Sequence, residues 1–120
     1  MGAVTQGEVY WLRDSEPLGS EPGYSRPWVV VQNDATNATK IGTVLACPLT
    51  TNLRLARAPG NVLLAAGEGG LTRESVVVVS AVTARDRSLF DDFAGVVSPA
   101  RVRQIVDGLL LLLMPSPEAT

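Results

Sequence analysis

The sequence predicts a mainly β fold: a small, strongly bent antiparallel sheet or barrel, covered on one side by a single C-terminal α-helix. Three observations lead there. Eleven glycines and eight prolines in 120 residues cut the chain into short β-rich runs. Helical periodicity is confined to one stretch near the C-terminus. With 46% hydrophobic and 18% charged residues, the chain has the length and apolar content of one domain. A disordered segment would be apolar-poor and charge-rich.

Taken in order, Glu8 to Leu12 reads as the first strand. Arg13 to Ser25, with two prolines, two glycines and three serines, reads as a long loop. Trp28 to Gln32 is a strand bounded by Pro27 and Asn33-Asp34; Thr43 to Leu49 is a third and Asn61 to Ala65 a fourth. Arg54 to Arg57, ahead of Pro59-Gly60, is a connection. The unbroken apolar run Ser75 to Val82 suits a strand buried on both faces. Asp86 to Phe93 has room for a helical turn. Ser98-Pro99 then opens the helix, a good N-cap before a residue pre-set for the first helical position. Val102, Ile105, Val106, Leu109, Leu110 and Leu113 keep helical spacing. Leu109 to Leu113 is apolar all round and should be buried, against the barrel or a second subunit. Residues 1–114 form one domain and 115–120 a frayed tail.

The chain has no histidine. That excludes a Ser-His-Asp triad, a paired-histidine nuclease and a histidine-rich metal site. A single cysteine, Cys47, excludes an intrachain disulfide and a four-cysteine zinc site. Within its strand it reads as a small buried apolar residue. The start has neither a basic region nor an apolar run, so a cytoplasmic location is expected, and Leu109–Met114 is too short to span a bilayer. The net charge of −2 argues against a general nucleic-acid footprint. Its distribution is uneven, however: between Ala35 and Gly67 stand Lys40, Arg54 and Arg57 and no acid.

A set of motifs then runs along nearly the whole chain: Gly7-Glu-Val-Tyr-Trp11, Gly19-Ser-Glu21, Arg26-Pro27-Trp-Val-Val-Val31-Gln-Asn-Asp34 with Asn37 beyond, Pro48-Leu-Thr50-Thr51, Pro59-Gly-Asn-Val62 and Arg73-Glu-Ser-Val76. In this order and spacing the chain resembles the MazF/PemK toxins of toxin–antitoxin pairs, over about residues 7 to 113. The resemblance implies an SH3-like barrel with a C-terminal helix, assembled as a homodimer. It implies sequence-specific, metal-independent cleavage of single-stranded RNA to 2′,3′-cyclic phosphate and 5′-hydroxyl ends, with no cofactor. It also implies a cognate MazE-like antitoxin whose disordered tail blocks the RNA groove. The family's catalytic arginine and threonine match Arg26 and Thr50, Thr50 being two residues past Pro48. In one place the loop departs from the family: Pro22 and Tyr24 stand where a glutamine and a glycine are usual. Loop length is unchanged, but proline removes an amide donor, which bears on base choice.

The chemistry is consistent with the missing histidine. When RNA is cut through its own 2′-OH, a base removes the 2′ proton, an acid protonates the leaving 5′ oxygen, and the phosphorane charge is stabilised. A guanidinium offers a bidentate fork to phosphate oxygens, and preorganised cations at developing charge are strong catalytic elements. Arg26 is therefore expected as stabiliser and acid, and Thr50 as a donor to a non-bridging oxygen. A guanidinium stays protonated, so Glu21 is the alternative base. A glutamate with its ordinary pKa of about 4.3 is a weak one. Ser20, Thr51, Asn33, Asn37 and Arg54 are candidate RNA contacts. Asn33, Asp34 and Asn37 are equally ordinary turn residues. Trp11 and Trp28 either stack bases or belong to the core. Two rivals share the fold: a CcdB-like gyrase-binding toxin, and a catalytically inactive antitoxin-binding homologue. The absence of tryptophan from the C-terminal Met114–Thr120 counts against the first, and Arg26 and Thr50 count against the second.

Overall fold

In the computed structural model, which describes residues 3–13 and 25–118, seven strands form one curled antiparallel sheet. The strands are β1 (Glu8–Arg13), β2 (Ser25–Val30), β3 (Thr43–Thr50), β4 (Val62–Leu64), β5 (Ser75–Val77), β6 (Thr83–Asp86) and β7 (Asp92–Val96). Their order is β4-β5-β3-β2-β1-β7, with β6 also paired to β3. β3 is the hub: β2 takes one of its sides, while β6 and β5 succeed one another along the other.

The sheet buries apolar side chains on both faces, which is why its strands read as continuous rather than alternating hydrophobic runs. Val9, Val29, Cys47 and Leu49 point to one core, closed by Val62, Leu64, Val77, Val79 and Ile105 of the helix. Tyr10, Leu12, Trp28, Val30, Val44 and Ala46 point to the other, closed by Val4 and Phe90. Tyr10 meets Phe90 and Phe93 edge-on, each at 5.6 Å between centroids, the geometry that ring quadrupoles favour.

One expected feature differs. The run from Ser75 to Val82 is not one strand. It leaves β5 at Val77 and makes a 3-10 turn at Val79–Ala81 before β6. β5 pairs with Leu49 and Thr50 while β6 pairs with Thr43 to Ala46, so the chain must turn a corner between two stretches of the same strand. The helical turn expected between Asp86 and Phe93 is a 3-10 turn at Arg87–Leu89, flanked by strands β6 and β7. A four-residue helix, α1 (Asp34–Asn37), bridges β2 and β3.

The C-terminal helix, α2 (Pro99–Leu113), begins as expected: Ser98 Oγ accepts the Arg101 N–H at 3.2 Å and Pro99 stands in the first turn. Ile105 is its anchor in the core, where truncation to alanine costs about 2–5 kcal/mol. Gly108, an otherwise poor helix residue, is there because the Gly60 carbonyl lies where a side chain would begin; a Cβ on Gly60 would reach within 2.7 Å of the Gly108 oxygen. The last turns of α2 are not buried by the barrel. Leu110 to Met114 stand exposed, Leu113 by 72%.

Candidate active site

β1, β2, β3 and β5 bring their ends together at one edge of the sheet. Leu12 pairs with Arg26, and Thr50 with Val76. The β2–β3 register runs Val30↔Ala46, Val29↔Cys47, Trp28↔Pro48. Continued by two residues, it sets Arg26 opposite Thr50 on the face that carries Trp28. Side chains directly opposite on paired strands have Cβ atoms about 5 Å apart. Arg26 is 5% exposed and Thr50 7%, so a guanidinium and a hydroxyl are held side by side in a partly desolvated place where their interactions are strengthened. Arginine is rarely so buried.

The turn after β3 orients Thr50. Its Oγ1 accepts the Asn52 N–H at 3.1 Å, and a hydroxyl that accepts one hydrogen bond can still donate another. Asn52 in turn caps the exposed 3-10 turn Leu53–Arg57 by accepting the Arg54 N–H at 3.3 Å. Asn61 Nδ2 ties that turn down by donating to the Leu55 carbonyl at 2.8 Å. Thr51 and Arg54 therefore stand exposed at the same end as Arg26 and Thr50. On the β3 side of Arg26, Arg54, Arg57 and Arg73 outnumber Glu74. On the β1 side, Asp92 of β7 pairs with Trp11, and Asp91 precedes it.

The remaining expected residues divide. Ser20 and Glu21, with Pro22 and Tyr24, lie outside the described residues. Asn33 and Asn37 lie beyond the other end of β2. Asn33 is exposed and caps α1, its Oδ1 accepting the Thr36 N–H at 2.9 Å. Asn37 is 2% exposed; its Nδ2 donates to the Gln32 carbonyl and its Oδ1 accepts from Gln32 Nε2, both at 2.9 Å. Its amide edge is committed to the loop, which speaks against the RNA contact expected of Asn37. Trp28 is core at 6% exposure, whereas Trp11 is 39% exposed. Cys47 is wholly buried, and burial pushes its thiol up to about 12. Burial and the neighbouring Glu8 carboxylate likewise push Tyr10 up to about 12. Neither supplies a nucleophile or base at neutral pH. Among the described residues, no group of three or more Asp, Glu or Cys side chains is placed to hold a metal ion, and no helix is long and apolar enough to cross a membrane.

Sequence reasoning missed Asn52, which orients Thr50, and Arg85. The Arg85 guanidinium carbon lies 4.6 Å from the centroid of the Trp28 ring. Neither has a local signal: Asn52 reads as a turn residue, and the residues of β6 do not read as a strand.

The pattern of the family described as PemK-like, MazF-like toxins of type II toxin–antitoxin systems matches residues 5–113. The chain belongs to this toxin family. Among the MazF relatives, endoribonuclease MazF6 of Mycobacterium tuberculosis is 36% identical over 110 residues, covering 92% of this chain and 96% of the relative. Endoribonuclease EndoA of Bacillus subtilis is 32% identical over 89 residues, 74% of this chain and 76% of its own. A mycobacterial endoribonuclease, solved in complex with its cognate antitoxin, superposes with a TM-score of 0.73 at 28% identity, over 96% of this chain and all of the other. The half-barrel with its C-terminal helix is thus the MazF fold, and this MazF-family chain fits the endoribonuclease toxins.

Proposed function

We propose that this chain is the toxin of a toxin–antitoxin pair and cuts single-stranded RNA at chosen sequences, without a metal, to leave 2′,3′-cyclic phosphate and 5′-hydroxyl ends. The observation that carries this reading is the register that sets buried Arg26 beside buried Thr50. The 2′ oxygen attacks phosphorus, its proton passes to a base, the bond to the 5′ oxygen breaks, and that oxygen takes up a proton. Arg26 neutralises charge on the non-bridging oxygens and protonates the leaving oxygen. Thr50 donates its hydroxyl to a non-bridging oxygen, held for that by the Asn52 N–H. Glu21 is the base or the residue that orients the loop. Thr51 and Arg54 stand where the strand leaves the site, and Ser20 and Asn33 are further candidate contacts. The partners are a cognate MazE-like antitoxin, as in the solved mycobacterial complex, and a second copy of this chain seated on the exposed Leu110–Met114 end of α2. The location is the cytoplasm, where RNA and antitoxin are made.

Incubation with a long RNA of known sequence in EDTA tests the reading. Discrete cuts with cyclic-phosphate ends are expected, and their absence from folded protein overturns it. Arg26→Ala should lower the cleavage rate by at least about 10²-fold, the order lost with one stabilising donor, with the melting temperature little changed. Near-normal cutting by Glu21→Gln would remove that carboxylate from the chemistry.

A further inference from the structure

We propose that Asn61 is a positioning residue of the active site: it holds the turn after β3 in place and, through the Asn52 amide, fixes the Thr50 hydroxyl. This rests on the nuclease reading and adds a positioning residue to it. Thr50 ends β3, and the 3-10 turn Leu53–Arg57 that follows buries none of its side chains. Leu53 and Leu55 themselves stand exposed. A segment with so little packing opens readily unless hydrogen bonds tie it to something firmer. Here the ties form an unbroken series. The Val79 N–H donates to Asn61 Oδ1 at 3.0 Å, and Asn61 Nδ2 donates to the Leu55 carbonyl at 2.8 Å. The Leu55 N–H donates to the Asn52 carbonyl at 3.1 Å, and the Asn52 N–H to Thr50 Oγ1, also at 3.1 Å. One end of the series is Val79, wholly buried in the core; the other is the hydroxyl assigned to the phosphate.

The run Pro59-Gly60-Asn61 makes this reach possible. Gly60 has a φ of +82°, in the left-handed region that favours glycine. A Cβ on it would stand 2.7 Å from the Gly108 carbonyl oxygen and 2.9 Å from Val79 Cγ2. The chain is thus pressed against α2 and the Val79 corner one residue before Asn61, which brings the asparagine to the Val79 N–H. An amide suits the place because it accepts through one atom and donates through another. A backbone N–H on one side and a carbonyl on the other dictate which way it points. Its two bonds do separable work. The bond to Val79 satisfies an amide of the core, and the bond to Leu55 sets the turn. Asn61→Asp keeps an acceptor for the first and loses the donor of the second.

Single-turnover cleavage at saturating RNA, in a double-mutant cycle of Asn61→Asp with Thr50→Val, tests this. Saturation keeps RNA affinity, to which the exposed Arg54 of the same turn is expected to contribute, out of the readout. Asn61→Asp should still melt cooperatively while its cleavage rate falls about tenfold, as a displaced catalytic group costs. In the Thr50→Val background the hydroxyl is gone. There Asn61→Asp should change the rate by less than about twofold, because it acts through that hydroxyl. A general structural loss, or the added negative charge acting directly on RNA, would lower the rate equally in both backgrounds. Such additivity overturns the inference. A full rate in Asn61→Asp alone, with wild type cutting normally, overturns it too and leaves the nuclease reading standing. A folded wild type that does not cut overturns the nuclease reading and this inference with it. Should Asn61→Asp fail to fold, amide hydrogen exchange of the wild type serves. The Asn52 and Leu55 amides should be protected along with that of Val79; exchange from both at the rate of an open chain overturns the assignment.

Discussion

Thr50 uses one oxygen in two directions, accepting the Asn52 amide and donating toward the proposed phosphate position. Thr50→Val keeps the shape and removes both. Single-turnover cleavage should fall by about 10²-fold, the scale of one lost donor at developing charge, while Thr50→Ser should retain most of the rate. Equal rates for the two variants would take the hydroxyl out of the reaction. Arg26 and Thr50 stand out in the sequence through the family motifs Arg26-Pro27 and Pro48-Leu-Thr50, and the β2–β3 register is what sets them side by side. Asn37 was not legible in that way. Asparagine serves turns and base edges with the same atoms, and what decides here is Gln32, five residues earlier, which takes both ends of its amide. The two tryptophans show the same limit. They stand on adjacent strands, but Trp28 faces the second core and Trp11 the rim. A period-two pattern gives the face of a side chain, not how far the core extends under it.

The N-terminal end of α2 is pinned by an ion pair that spans the sheet's edge. Glu68 accepts from Arg101 Nε and Nη2, each at 2.9 Å, and from the Ala65 N–H at 2.7 Å. The Arg101 hydrogen bonds, and then that of Ala65, hold its carboxyl below the usual glutamate range. The folded state therefore prefers the ionised form. The stability this supplies is full above the ordinary carboxylate range near pH ~4.5 and fades as pH falls through the lower folded value. Glu68→Gln should melt lower than wild type at neutral pH, modestly because the pair is well hydrated. The two should converge as the buffer is taken into the acid range; a constant gap down to the acid limit would refute the assignment. At this scale α2 was readable almost to the residue, since its cap, first-turn proline and apolar stripe are all local. β6 and β7 were not. Thr-Ala-Arg-Asp and Asp-Phe-Ala-Gly-Val lack strand character and are strands because β3 and β1 pair with them. The corner at Val79–Ala81 was hidden by the unbroken apolar composition around it.

Across the whole molecule, the apolar end of α2 is the surface the barrel leaves open. If a second copy covers it, wild type should sediment as a dimer at micromolar concentration. A Leu110→Glu, Leu113→Glu double variant should sediment as a monomer with its melting transition still cooperative. A monomeric wild type would remove the homodimer from the proposal. The place of Thr50 has another consequence. It ends β3, the strand that three others grip, and strands so held are the last to open in a fold's local fluctuations. Loosening this end of the sheet means loosening most of the protein. Among the described residues, the strand ends that carry Arg26 and Thr50 are thus set as soon as the sheet has formed. A partner that restrains such a site acts by covering it, because melting the strands beneath would cost most of the fold.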